Sequence, residues 1–305
     1  MRIDQKIKLL KVALVVGVAI TGFALMRLML PSLSHQRRLF NLGADYVSVD
    51  RPQMRVYYHP ETTSREHVNR LVSEFKTFVD QMFELHGARL GLLRPARPIT
   101  VFLHANELDY KRFWRSNERS HISSVGRYDP ASMAIGISSL GELETTLTTL
   151  RHETLHLLLD ISGLSGGRGG VMPTWLNEGL AEYFENGARG GTRQNYHLET
   201  PPIALDKLVR LSAKDFYDKS KPVHHHYKES ALLVAMLFEG DEQKYKRRFY
   251  KYIRRHSRRR WGIAEISAEV GLSEDELTKR AWPDFLRQHD EQLSREPRLD
   301  ERAPR

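Results

Sequence analysis

From Glu142 to Asp160 the chain runs without a glycine or a proline and is rich in leucine, which predicts one continuous helix. Inside that run stands His152-Glu153-Thr154-Leu155-His156. Residues four apart share a helix face, so the two imidazoles can offer nitrogens to a single cation. Zinc accepts such nitrogens at ~2.0–2.1 Å. Glu153, one step round the helix, is placed to take a proton from a water held by the metal rather than to ligate it. The pattern demands a rigid helix and a further donor from elsewhere in the chain, because two histidines do not close a tetrahedral site. Glu178, in Pro173-Thr174-Trp175-Leu176-Asn177-Glu178-Gly179-Leu180-Ala181-Glu182-Tyr183-Phe184, is the best candidate. The bland alternative is a core helix that happens to carry two histidines.

Taken together, the two segments resemble the gluzincin branch of zinc metallopeptidases, which includes the thermolysin-like enzymes and aminopeptidase N. The closest likeness is to the peptidase MA-like domains of many bacterial proteins of unknown function. It covers roughly Met54 to Leu286, with specific motifs only between His152 and Phe184. The resemblance implies a zincin-like fold and one Zn2+ ion held by His152, His156 and Glu178, with Glu153 as general base. It also implies peptide-bond hydrolysis of a peptide or protein substrate. No Gly-x-Met-x-Asn exopeptidase signature precedes the motif helix, which tilts the expectation towards an endopeptidase.

Three finer expectations follow from the same likeness. Gluzincins stabilise the developing oxyanion with a downstream Tyr or His, and Tyr227 fits a family-like pattern through Ser230, Leu233 and Val234. A ligating imidazole usually gives its other N–H to a carboxylate. Glu182 shares a face with Glu178 and is the candidate partner behind His152, its alternative being a solvated surface glutamate. Thermolysin-like enzymes have an acidic residue at that offset and aminopeptidase N does not. Finally, the strand before the motif helix is a sheet edge in gluzincins, so Ala134, Ile135, Gly136 and Ile137 are expected to pair with an extended substrate. A plain interior strand is the competing reading. The gap from His156 to Glu178 is a little longer than in the aminopeptidases, and the glycines between Ile161 and Met172 absorb the excess, as a linker or as a lid.

Around the motif the chain alternates strand and helix patterns. Met54–Tyr58, Ile99–Leu103 and Met133–Ile137 read as strands, and Glu66–Leu85 and Asn106–Trp114 as helices. From Tyr227 onwards the pattern is helical: Glu229–Phe238, Gln243–His256, Ile263–Val270 and Glu274–Leu286, with Ser273 as an N-cap before Glu276. This predicts an α+β fold, a small mixed sheet leading into the motif helix and then a mainly helical lobe. The expected bounds are a linker at 31–50, a domain at 51–290 with lobes at 51–140 and 141–290, and a charged disordered tail at 291–305.

The absence of cysteine excludes disulfides, thiolate–metal sites and a lipid anchor through Cys. An uncharged apolar run, Val12 to Met26, follows Arg2, Lys6, Lys8 and Lys11. Extended to Leu9–Leu30, it makes a helix of ~33 Å, enough for a ~30 Å hydrocarbon layer. An uncleaved signal anchor at 1–30 is the expectation, a cleaved signal peptide ending near Ala24 its rival and a buried core helix the soluble alternative. As a single-pass anchor in a bacterial inner membrane, it places the catalytic domain on the periplasmic side, although Arg37 and Arg38 weaken the orientation signal.

The net charge of +9 is uneven. Lys244, Lys246, Arg247, Arg248, Lys251, Arg254, Arg255, Arg258, Arg259 and Arg260 crowd one segment, interleaved with Phe249, Tyr250 and Tyr252. A solvated helix face, contact with anionic lipid and non-specific phosphate binding all fit, and no specific nucleic acid is expected. The triplet His224-His225-His226 reads as a polar loop or a secondary metal tract. The leading function is therefore a membrane-anchored zinc peptidase. Its rivals are a catalytically silent metal-binding domain acting in binding or assembly, and a basic module with a coincidental motif.

Overall fold

The computed structural model describes residues 42, 45–114, 125–138, 142–165, 172–191, 198, 201–218, 223–256 and 262–295. The expected anchor at 1–30, residues 166–171 of the glycine-rich connection and Arg258–Arg260 lie outside them. Among the described residues no helix is long and apolar enough to cross a membrane.

Five strands form one mixed sheet in the order β1-β2-β3-β5-β4. They are β1 (Val47–Asp50), β2 (Met54–Tyr58), β3 (Ile99–His104), β4 (Gly126–Asp129) and β5 (Ala134–Ser138). Strand β1 lies inside the segment expected as a linker, because its unpaired backbone is satisfied by antiparallel pairing with β2. Strands β2, β3 and β5 run parallel, Val56 opposite Val101 and Val101 opposite Ile135. Parallel neighbours need crossovers. Helix α1 (Arg65–Met82) links β2 to β3, and α2 (Glu107–Trp114) follows β3. Ser64 caps α1 by accepting the His67 N–H at 3.1 Å, and Val68, Leu71, Phe75, Phe78, Val79 and Met82 form its buried stripe.

Strand β5 is buried along its whole length, with β3 on one side and antiparallel β4 on the other. The expectation that Ala134–Ile137 form a substrate-pairing edge is corrected: the edge next to the motif helix is β4, a strand the sequence did not announce. Gly136 does mark a close approach, but to Trp114 of α2. A Cβ there would lie 2.3 Å from the indole.

Helix α3 (Leu143–Ile161) carries the motif, and α4 (Thr174–Phe184) and α5 (Val223–Gln243) complete the site. Gly179 lets α4 and α5 meet backbone to backbone, since a Cβ at 179 would stand 2.6 Å from the Ser230 carbonyl oxygen. Helix α5 starts six residues earlier than expected, so the histidine triplet is the first turn of a helix and not a loop. Helices α6 (Lys246–His256) and α7 (Ile263–Val270) follow, then a capped turn in which Ser273 Oγ accepts the Glu276 N–H at 3.1 Å. Helix α8 (Trp282–Arg295) runs into the segment expected as a disordered tail. One continuous apolar core joins the sheet lobe to the helical lobe, from Val56 and Ile135 through Leu158 and Leu180 to Leu233 and Ile253.

Candidate metal centre

The α3 backbone sets His152 and His156 one turn apart, with ring centroids 4.9 Å apart and planes at 75°. Opposite them α4 presents Glu178. Its Oε2 lies 3.5 Å from His152 Nε2 and 3.4 Å from His156 Nε2. Ligand atoms at ~2.0–2.1 Å from a tetrahedral ion stand roughly 3.3–3.4 Å from one another, so Glu178 Oε2 lies at zinc-ligand spacing from each imidazole nitrogen. Glu178 is buried, and both rings are nearly so.

The hydrogen bonds around these donors fit a cation. His152 Nδ1 lies 3.2 Å from Glu185 Oε2, and with the proton on Nδ1 the Nε2 lone pair faces Glu178 Oε2. At that separation the nitrogen and the carboxylate oxygen need a positive centre between them, a ring proton or a metal cation. Two imidazole nitrogens and one carboxylate oxygen are also the donor set zinc takes in catalytic sites with an open position. Burial opposes charging His152, but Glu178 and Glu185 outweigh it and hold its pKa well above the usual imidazole value. His156 follows the same balance, with Glu178 as its main partner. Burial would raise Glu178, yet the two histidines hold it far below the usual carboxylate range.

Glu185 was not read from the sequence. It is the residue just after α4 and the third member of a stripe with Glu178 and Glu182, at positions i, i+4 and i+7. The spacing of that stripe is legible in the sequence, although Glu185 falls just past the end of the helical segment. Glu182, the expected partner of His152, lies 3.6 Å from Nδ1 and is more exposed. Glu185 therefore takes the hydrogen bond, and Glu182 stands beside it.

Glu153 is buried between α3 and β4, where its Oε2 accepts the Tyr128 backbone N–H at 2.6 Å. Burial raises its pKa, partly offset by His156 and His152. The Tyr128 hydroxyl donates to Asp160 Oδ2 at 2.8 Å, so one residue of the edge strand grips the motif helix at two points. Gly126 makes the contact close: a Cβ there would meet Thr149 Cγ2 at 2.3 Å.

From α5, Tyr227 brings its ring within 6.4 Å of the His152 ring. Burial, then Glu178, pushes its hydroxyl far above the ordinary value, so it stays a donor. A second tyrosine that no motif announced, Tyr217, donates to Glu178 Oε1 at 2.6 Å. The neighbouring histidines turn elsewhere. His225 Nδ1 lies 3.4 Å from the buried Glu229, and His226 Nδ1 bonds the Phe216 carbonyl at 3.0 Å. Among the described residues, the donor groups close enough to share an ion are His152, His156 and Glu178, and His152 with Glu182 and Glu185.

A family described as "Protein of unknown function (DUF1570)" matches residues 146–201. That span holds His152, Glu153, His156, Glu178, Glu182 and Glu185, and it ends before Tyr217 and Tyr227. No curated protein matches the chain.

Proposed function

We propose that this chain is a zinc-dependent peptidase of gluzincin type. The observation that carries the reading is the convergence of His152 Nε2, His156 Nε2 and Glu178 Oε2 at 3.4–3.5 Å, with a spare buried carboxylate, Glu153, one residue away. Zinc held there supplies an acidified water and a Lewis acid for a carbonyl oxygen. Glu153, buried and raised in pKa, takes the water's proton and hands it to the leaving amine. Tyr227, kept protonated, donates to the oxygen on which negative charge develops. An extended peptide would lie along β4, the outermost strand beside the motif helix, where Gly126 and Tyr128 stand alongside Glu153.

The same Tyr128 N–H lowers the basicity of Glu153, and this favours a second reading, a catalytically silent metal-binding domain. Zinc quantification with a peptide-library cleavage screen, run on the parent and on Glu153→Gln, separates the two. The peptidase reading expects both proteins to hold one zinc and only the parent to cleave. Equal cleavage by both overturns the mechanism.

Placement at a membrane belongs to the same proposal and rests on the apolar run Val12–Met26. Helix α6 adds a basic face: Phe249, Tyr250, Tyr252 and Ile253 face the core while Arg247, Lys251 and Arg254 are exposed. Such a face suits anionic headgroups near an anchor.

A further inference from the structure

Glu178 divides its two oxygens between different tasks. Oε2 faces both imidazoles, at 3.5 and 3.4 Å, while Oε1 accepts the Tyr217 hydroxyl at 2.6 Å. A carboxylate with both oxygens at liberty can close on a cation through both, filling the position that water needs. One whose second oxygen is held by a buried donor binds through one oxygen only.

Tyr217 is itself held in place. It follows the short turn Ala213–Phe216, which Ser212 caps by accepting the Asp215 N–H at 3.2 Å. Phe216 is fully buried against the Tyr227 ring, centroids 5.2 Å apart, and its carbonyl is tied to His226. The Tyr227 ring lies beside that of Tyr217, centroids 6.3 Å apart, so both tyrosines pack on the ligand's side of the site.

We infer that Tyr217 is a positioning residue of this site: it keeps Glu178 a one-oxygen ligand and leaves a coordination position open for water. The inference rests on the metal site proposed above and deepens it.

The test loads the full-length parent, Tyr217→Phe and Tyr227→Phe with zinc or with cobalt(II), and follows zinc affinity by chelator competition and coordination by cobalt absorption. Tyr217→Phe is expected to weaken zinc binding about 10–100-fold. Its cobalt bands should drop from the intense four-coordinate pattern to the weaker five-coordinate one. Tyr227→Phe should keep the parent's zinc affinity and cobalt bands while kcat falls. Parent-like affinity and bands in Tyr217→Phe overturn the inference. Five-coordinate bands in the parent overturn it too, whether or not the variant folds. A parent that binds neither metal overturns this inference and the peptidase reading together. One that binds zinc but cleaves nothing overturns the peptidase reading alone, and the metal readouts still decide Tyr217.

Discussion

Tyr128 donates its backbone N–H to Glu153 Oε2 at 2.6 Å, joining the edge of the sheet to the carboxylate beside the metal ligands. The join has a consequence for activity. An amide aimed at a carboxylate fixes where that carboxylate points, so the proposed base and the proposed substrate strand move as one body. Gly126, two residues before, permits the close packing that the bond requires.

Gly126→Ala should separate the two. Its Cβ would stand 2.3 Å from Thr149 Cγ2 and 3.0 Å from Glu153 Oε1, both on a rigid helix. Overpacking of this kind costs about 1–3 kcal/mol. Thermal melts should show a loss of that size, and peptide cleavage should fall more steeply than stability accounts for. Unchanged kcat/KM would mean that the edge strand has no part in the reaction.

Glu185 and Glu182 offer a graded comparison. Glu185 lies closer to His152 Nδ1, at 3.2 Å against 3.6 Å, and is less exposed. Loss of such a partner typically costs about 10–100-fold in metal affinity. Chelator competition should place Glu185→Gln in that range and Glu182→Gln nearer the parent. The reverse order would assign the orienting role to Glu182.

Protons and zinc compete for the same nitrogens. His152 and His156 both have pKa values raised above 6.5 in the folded chain, burial opposing and the carboxylates prevailing. A raised histidine stabilises the fold fully below its unfolded value and loses that contribution as pH rises through the folded one. Chelator-treated protein should therefore melt lower as pH climbs through the range above 6.5, while zinc affinity climbs over the same range. A chelated protein whose Tm rises there would contradict the sign.

His86, packed on Phe184 at the end of α4, works in the opposite direction. It is buried, with Nε2 against the Ala188 carbonyl at 2.7 Å and Nδ1 against the Tyr250 hydroxyl at 2.5 Å. Burial lowers its pKa, opposed by the Ala188 bond. The neutral ring therefore contributes stability above pH 6.5 that is lost as pH falls below it. His86→Gln, compared with the parent under identical metal loading, should show a shallower decline of Tm between about pH 6.5 and 5. Parallel declines would remove His86 as the cause.

The parts of this fold that rest on neighbouring residues were legible in the sequence. The apolar spacing from Val68 to Met82, the unbroken run that carries His152 and His156, and the Ser273 cap all depend on contacts within a turn or two, and each forms where the pattern places it. The i, i+4 rule set His152 and His156 on one face before any tertiary contact was known. Glu178 could be nominated because its helix carries its own motif.

What the chain could not declare locally is which strand has a neighbour on each side. Period and β-propensity describe Ala134–Ile137 equally well at an edge or in the interior. Only the pairing with β3 and β4 makes β5 interior and puts Gly126–Asp129 at the end of the described sheet. Tyr128, Tyr217 and the hydrogen bond from His152 to Glu185 are long-range as well. Each joins a side chain to a partner 25 or more residues away, and nothing in the local pattern singles out such a pair until the core has closed around it. The sequence by itself determined the two imidazole donors, because their spacing is a property of one helix. The tertiary structure decided which carboxylate oxygen, which orienting carboxylate and which strand they meet, because those depend on packing between elements that share no local register.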